Sequence, residues 1–309
     1  EELKTELATA QKELKDRRKA ATSDFERWSE SAVIEVTNEI DSSLSVHLPL
    51  NGDPENLELI VDGESTSKPA KLDQVEAPFG QAKLVSNKAI ELGDHASFSR
   101  SDQITYGGFI RIEGKPTGAV IARMDPGNKF RGWDFYLQKG APAGHVIDQW
   151  PHAASKIAAN KPLAEAKWHH VMITFDGTKS GHQAQAIYID GKRVPAGVTP
   201  NTVGGNIETE VPLRLGSRHN NDSKLKGGKV ALQDFRFYRR LLPESEIASL
   251  ASGTMLQTVL AIPAAQRSDT QKKALYDYYL NSIDEPSRVL RTRINAIQSE
   301  QAEIKKRGS

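Results

Sequence analysis

The chain has 309 residues, 38% hydrophobic and 26% charged, with a formal net charge of +1. That length holds one large domain or two ordinary ones around a sizeable core, and so balanced a charge offers no field to attract nucleic acid or an acidic membrane surface. The absence of cysteine excludes disulfides, thiolate catalysis, Cys-type zinc sites and covalent c-type haem from this chain, while deciding no redox compartment. No run of about 18 apolar residues occurs, so no helical membrane span is expected. The opening EELKTEL carries neither an initiator Met nor a signal peptide, and the chain reads as a piece of something longer.

Residues 1–35 form the first predicted segment, a helix to about residue 31. Leu3, Leu7, Ala10, Leu14, Arg17 and Ala21 recur at steps of four and three, a coiled-coil seam, and Phe25 and Trp28 continue its apolar side. Acids and bases are mixed on the other positions, as on a solvated face.

Residues 36–251 read as a β domain. SVHLPL at Ser45–Leu50 is broken by Asn51-Gly52-Asp53-Pro54, and Leu57–Val61 ends at Asp62-Gly63. Further strands are expected in Ala82–Leu92, in FIRIEG after Gly107-Gly108, in Ala119–Met124, Trp133–Gln138 and His145–Trp150. A loop rich in Ala, Lys and Asn then leads to Trp168. In Trp168–Val194 two runs, Val171–Phe175 and Ala186–Ile189, alternate at period two. Val171, Ile173 and Phe175 share one face with Ile187 and Ile189 opposite them; His170, Met172, Thr174, Ala186 and Tyr188 point the other way. Asp176-Gly177 and Asp190-Gly191 supply the turns. Leu213–Gly216 and Val230–Tyr238 complete the set, and an apolar phase slip predicts a bulge at Gln233-Asp234. Many short strands with frequent turn signals argue for a β-sandwich.

Residues 252–309 are predicted helical, with segments at 254–262 and 269–281 and a last helix opened by Pro286. Leu290, Ile294, Ile297, Gln301 and Ile304 repeat the four-three spacing. A lone helix of that length is marginal in water, so an antiparallel hairpin with the N-terminal helix is expected. Pairing with another chain or an absent segment is the alternative.

The pattern W-H-H-V, T-F-D-G, Y-I-D-G-K resembles the central hairpin of laminin-G-like (concanavalin A-like) jelly-roll domains. The closing segment PLRLGSRHNNDSKLKGGKVALQDFRFYRRLLPESEIASL is similar to theirs as well, and the likeness covers roughly residues 45–251. With ARMDPGNKFRGWDFYL, HVIDQWPHAASK, LYDYYL and the flanking helices, the chain resembles jelly-roll inserts of large planctomycete-type multidomain proteins that also carry cytochrome-c-like domains. The resemblance implies a mostly β fold with helices: a jelly roll on a helical hairpin built from both termini. It also implies an exported, extracytoplasmic protein, carbohydrate as ligand, and the parent's other domains as partners of the hairpin.

Glycosidases also occur on such folds, and they need two carboxylates about 5–10 Å apart. Glu208 and Glu210 have a suitable spacing but lie in an Asn/Gly/Thr-rich loop, so no catalytic residue is assigned. His169 and His170 are strand neighbours facing opposite ways and cannot share an ion. Asn221-Asp222-Ser223 matches a glycosylation acceptor and is read as a polar loop. Calcium takes six to eight oxygen ligands, and Asp125, Asn128 and Asp234, with Asp134, Asn220 and Asp222, could supply them; ordinary Asx turns are the alternative.

Sugar binding needs aromatic platforms with polar side chains beside them. Phe135 and Leu137 read as core and take Trp133 inward, leaving Asp134, Tyr136 and Gln138 on the other face. Asp134, Tyr136, His170 and Tyr188 are therefore expected to line one outer sheet face, with Trp150, His152, Arg218 and His219 as a rim. Arg123 and Arg131 join the candidate ligand-binding set. Trp168 reads as structural, whereas Trp150 is open between core and ligand. A non-catalytic glycan-binding module is the first expectation; a structural module docking through its helices, favoured by an aromatic content of only 6%, is the second.

Overall fold

The computed structural model describes residues 2–31, 42–51, 53–77, 80–85, 89–251, 259–260 and 262–307. They form two compact units, Thr37–Ala251 and the two chain ends, Glu1–Val36 with Ser252–Ser309. The helices are α1 (Glu2–Ala20), α2 (Thr22–Ser31), α3 (Glu244–Ser249), α4 (Asp269–Tyr278) and α5 (Glu285–Arg307).

The larger unit is a β-sandwich. Its strands are β1 (Leu44–Leu48), β2 (Asn56–Val61), β3 (Glu64–Pro69), β4 (Gln74–Ala77), β5 (Gly80–Leu84), β6 (Ile90–Gly93), β7 (Gln103–Asp125) and β8 (Arg131–Gln138). They continue with β9 (Ala141–Gln149), β10 (Ala153–Ala159), β11 (Trp168–Asp176), β12 (Gln185–Ile189), β13 (Lys192–Arg193), β14 (Ala196–Asn201), β15 (Leu213–Leu215) and β16 (Lys226–Tyr238). The first sheet runs β3-β2-β1-β16-β7-β11-β12-β13, with β5 on β16 and β4 on β5. The second runs β6-β15-β7-β8-β9-β10-β14. Every pairing is antiparallel. Strand β7 belongs to both, its first half pairing β11 and its second half β8.

Period-two alternation fixes which side chains enter the core. In β11, Val171, Ile173 and Phe175 are fully buried between the sheets, with Val171 opposite Ile189 and Ile173 opposite Ile187. Asp190 and Gly191, at φ 52° and 79°, form the two-residue turn between β12 and β13, which demands positive φ at both positions. In β8, Trp133, Phe135 and Leu137 point inward. The Trp133 indole Nε1 donates to the Ala96 carbonyl at 2.8 Å, which satisfies its one polar atom inside an apolar cluster. The bulge in β16 lies between Gln233 and Arg236, with Asp234 at φ 53°.

The sequence does not announce every strand. AASKIAA, expected in a loop, is β10; among its residues Ile157 alone is strongly apolar, too little for an alternation to show. The edge strand β3, ESTSKP, is polar and almost wholly exposed and gave no signal either.

The outer face of the first sheet is covered. Residues 239–251, including α3, place Leu242 and Ile247 on Met172 and Tyr238, with Tyr188 and Leu44 packed alongside. His170 lies on this sheet, 4% exposed, its ring 4.7 Å from Phe109.

In the other unit α1 and α2 are separated at Ala21, where one continuous helix was expected, though i→i−4 hydrogen bonds bridge the break. Helices α1 and α5 run antiparallel: Gln301 donates to the Leu3 carbonyl at 3.1 Å, Arg293 pairs with Glu6 at 3.1 Å, and Arg17 Nε donates to Asp284 at 3.0 Å. Ala10, Ala21, Ile294 and Ile297 are buried seam positions, whereas Ile304 is 52% exposed. Phe25 and Trp28 of α2 pack on Tyr276 and Tyr279. The expected helix at 254–262 lies largely outside the described residues.

Burial pushes the His170 imidazole down to about 4, only partly offset by Asp234 and Asp190, with Arg236 adding to the depression. The folded state holds this ring neutral while the unfolded chain protonates it below about pH 6.5. Stability from this group is therefore present above that pH and lost as pH falls toward about 4, by roughly 3 kcal/mol. Urea unfolding of His170→Leu should show a correspondingly shallower loss between about pH 7 and pH 4 than the wild type; parallel curves would refute the assignment.

Candidate functional site

The outer face of the second sheet is where an open cleft lies. On this face Ala119, Ala122 and Met124 of β7, Ile147 of β9 and Ala154 of β10 form a cluster of mostly small apolar side chains, of which Ile147 lines the cleft. Short side chains on a sheet leave room above them, and the cleft there has a volume of about 320 Å³. Three aromatic rings wall it. Tyr136 stands on β8, Trp150 follows β9 and is 38% exposed, and Phe130 arrives from the turn before β8. Lys129 and Phe130 in that turn have φ of 55° and 64°, a region bulky residues seldom enter. Such local strain persists only where surrounding structure holds it.

Beneath the aromatics lies a charged network. Asp134, on the same face of β8 as Tyr136, has no solvent exposure. Its Oδ1 accepts from the backbone N–H of His145 at 3.1 Å and from the His145 ring Nδ1 at 2.7 Å. Its Oδ2 accepts from Arg218 Nε at 2.9 Å and Nη2 at 2.7 Å. Burial works against the charged carboxylate, but His145 and Arg218 outweigh it and hold the carboxyl below its usual range. The Arg218 guanidinium then lies 5.2 Å from the Tyr136 ring centroid and 5.4 Å from that of Phe130, within cation–π range of both. The His145 ring meets Tyr136 edge-on at 5.4 Å and Trp150 at 6.0 Å. With Nδ1 committed to Asp134, Nε2 is the ring nitrogen left for an incoming group.

Cross-strand register explains the grouping. Asp134 sits opposite His145, and His145 opposite Lys156, so three polar side chains cross β8, β9 and β10 in one row. Thr117 and Gln138 line the same cleft.

The sequence-derived set is thus split. Tyr136, Trp150 and Arg218 come together, with Asp134 as their buried support. His170 and Tyr188, expected beside them, belong to the other sheet, where Tyr188 packs under residues 239–251 and His170 against Phe109. Strand alternation assigns a face but not a sheet. Arg123 is buried, donating to the carbonyls of His95 at 3.0 Å and Thr209 at 2.7 Å and pairing with Asp94, so it pins loops and reaches no ligand. Arg131 pairs with Asp148 at 2.8 Å, outside the cleft lining. His152 is exposed and His219 half-buried; neither lines the cleft. Phe130, His145 and Lys156 were not anticipated. His145 could have been found from its place in a readable strand, but its register against Asp134 is not written in the sequence.

The expected calcium ligands are not brought together. Asp125 Oδ1 accepts from the Gly127 N–H at 2.9 Å, an Asx turn, and Asn128 is exposed in that turn. Asp234 is on the other sheet, held by His47 at 2.7 Å and Arg236 at 3.0 Å. No group of three or more potential metal ligands gathers among the described residues. Glu208 accepts from Ser99 Oγ at 2.6 Å, and neither it nor Glu210 lines the cleft.

A two-sheet sandwich with an open, aromatic-walled face defines a concanavalin-like module. Residues 84–248 match a laminin G family described as the concanavalin A-like lectin/glucanases superfamily. The chain belongs to that superfamily. No curated protein matches it in sequence. Among solved structures, it is similar to the binding domain of Paraclostridial Mosquitocidal Protein 1, at 16% identity and a TM-score of 0.52, covering 69% of this chain and 52% of that one. Another similar structure is the botulinum neurotoxin serotype D/C VPI 5993 binding domain, at 14% identity and a TM-score of 0.49, covering 70% and 53%. The chain spans about half the length of these structures, and the likeness is one of fold.

Asp134→Ala would leave the buried Arg218 guanidinium with only the more distant, part-exposed Asp222 carboxylate at 3.7 Å, at a cost of up to about 3–5 kcal/mol. Urea unfolding should show that loss, with part recovered in the Asp134→Ala/Arg218→Met pair. An unchanged midpoint in the single variant would show that the network does not support the sandwich.

Proposed function

We propose that this chain is a non-catalytic recognition module that binds saccharide in the cleft on the outer face of the second sheet. The observation that carries the reading is the exposed Trp150 ring beside Tyr136 and Phe130, with polar groups at close quarters from His145, Lys156 and Gln138. Apolar sugar faces stack on such rings while polar groups fix the hydroxyls. Catalysis is disfavoured by the chemistry of the lining. Glycoside hydrolysis takes two carboxyl groups across the scissile bond, and the carboxylate under this cleft, Asp134, is sealed from solvent by His145 and Arg218.

The context proposed for it is an exported multidomain protein, in keeping with the likeness to the planctomycete-type inserts. No described helix is long and apolar enough to cross a membrane. A second reading has its own observation. On α5, Val289 and Ile304 are 60% and 52% exposed, single apolar positions that this reading would place against another domain. The two readings differ in where a partner sits.

A glycan array followed by calorimetry, with and without calcium, tests the first reading. Trp150→Ala and Tyr136→Ala should each weaken binding by about tenfold or more without loss of folding. Failure to bind any saccharide in either condition would favour the docking module.

A further inference from the structure

The polar lining of the cleft is unbalanced. A neutral sugar hydroxyl both donates and accepts, and sites that read neutral sugars need acceptors as well as donors. Here the charged side chains are Lys156 and Arg218, and no carboxylate lines the cleft among the described residues. The Thr117 hydroxyl already accepts from the Lys139 N–H at 2.9 Å. Gln138, the Tyr136 hydroxyl and His145 Nε2 are the acceptors that remain.

The two cations are not equivalent. Arg218 is 8% exposed, and its guanidinium is spent on Asp134 and on Ser223 Oγ at 3.1 Å. Lys156 is half-buried, faces the cleft, and makes no ion pair with a described residue. Its side chain is on the outer face of β10, since its neighbours Ser155 and Ile157 are buried and Ile157 enters the core. Opposite it on β9 stands His145, whose Nδ1 is fixed by Asp134. Lys156 is thus the charged donor at one end of the Asp134–His145–Lys156 row, beside the Trp150 ring. Asp134 is buried beneath and neutralised by Arg218, so it does not cancel the Lys156 charge at the cleft surface.

We infer that the cleft is specific for acidic saccharides, with a carboxylate or sulfate group on the sugar seated against Lys156 while the ring packs on Trp150. An anion accepts and never donates, which matches a lining whose one charge without an ionic partner among the described residues is the Lys156 ammonium. The inference rests on the reading of the cleft as a saccharide site and adds the chemical class of ligand. A uronic acid and a sulfated sugar present the same chemistry here, so both are probed.

The experiment is calorimetry on the full chain with four oligosaccharides: an oligogalacturonide, its carboxyl-reduced neutral form, a sulfated galactan oligomer and its desulfated form. At least one acidic member should bind about tenfold or more tighter than its neutral parent. That preference should shrink as salt is raised from about 0.05 to 0.3 M, since screening shortens the reach of the Lys156 charge. Lys156→Gln should erase the preference and Lys156→Arg keep it, with unfolding midpoints unchanged in both. Equal binding of acidic and neutral members by the wild type, or a preference that survives Lys156→Gln, overturns the inference while leaving saccharide binding intact. Binding of none of the four, together with a blank array, removes the saccharide reading itself.

Discussion

A single strand of 23 residues, β7, serves both sheets, and the geometry of the second sheet follows from where that strand crosses over. The crossing needs backbone that side chains would obstruct. At Gly118, φ is 147° and a Cβ would lie 2.7 Å from Leu225 Cα; at Gly114, φ is 73° and a Cβ would lie 2.8 Å from the Gly227 carbonyl oxygen. Glycine is the residue that permits such approaches. Beyond the crossing, Ala119, Ala122 and Met124 stand on the outer face, and β8 pairs alongside them with Tyr136 opposite Ala119 and Asp134 opposite Ala122. Register then decides every inward and outward side chain of β8, because a slip of one residue would exchange the two faces.

Charge builds on that register. A carboxylate with no access to water stays ionised only if its partners return what hydration would have supplied. Asp134 finds them in His145, one strand away, and Arg218, from the loop after β15. Fixing Arg218 fixes more than a salt bridge, since its guanidinium lies over the rings of both Tyr136 and Phe130. The aromatic walls are therefore held by a buried electrostatic anchor and not by contact with each other alone. Placement on strands, with supporting hydrogen bonds beneath, is what allows a site to be preorganised before its ligand arrives.

Sequence periodicity revealed faces and missed neighbours, for one physical reason. Alternation is a property of a single strand, whereas pairing is a property of two. Trp133, Phe135 and Leu137 could be placed inward and Tyr136 outward because the period-two pattern of β8 is clean. The bulge at Asp234 showed as a phase slip in β16. Nothing in those patterns says that β8 and β11 lie in different sheets, which is why His170 and Tyr188 read as neighbours of Tyr136 and are not. Lys156 went unseen because AASKIAA has too little hydrophobic contrast to read as a strand. Asp234 looked like a free oxygen donor, but its carboxylate is held by Arg236, two residues on, and by His47, which is remote in the linear chain.

The two outer faces of the sandwich have been used differently, and that asymmetry bears on function. On the first sheet the large residues Met172, Tyr188 and Tyr238 are covered by the chain's own continuation through Leu242 and Ile247. On the second sheet Phe130 and Tyr136 pack on the small residues Ala119 and Ala122 beside the Arg218 loop, and the cleft next to them stays open. Trp150 nevertheless stands there with more than a third of its surface in water. A large apolar ring held over a concave floor is unfavourable by itself, because burying it would recover hydrophobic free energy. The fold has a way to cover such rings, as the first sheet shows, and leaves this face open. A ligand that replaces water on the Trp150 ring and brings acceptors to the donors beside it would meet both unmet demands of the surface at once.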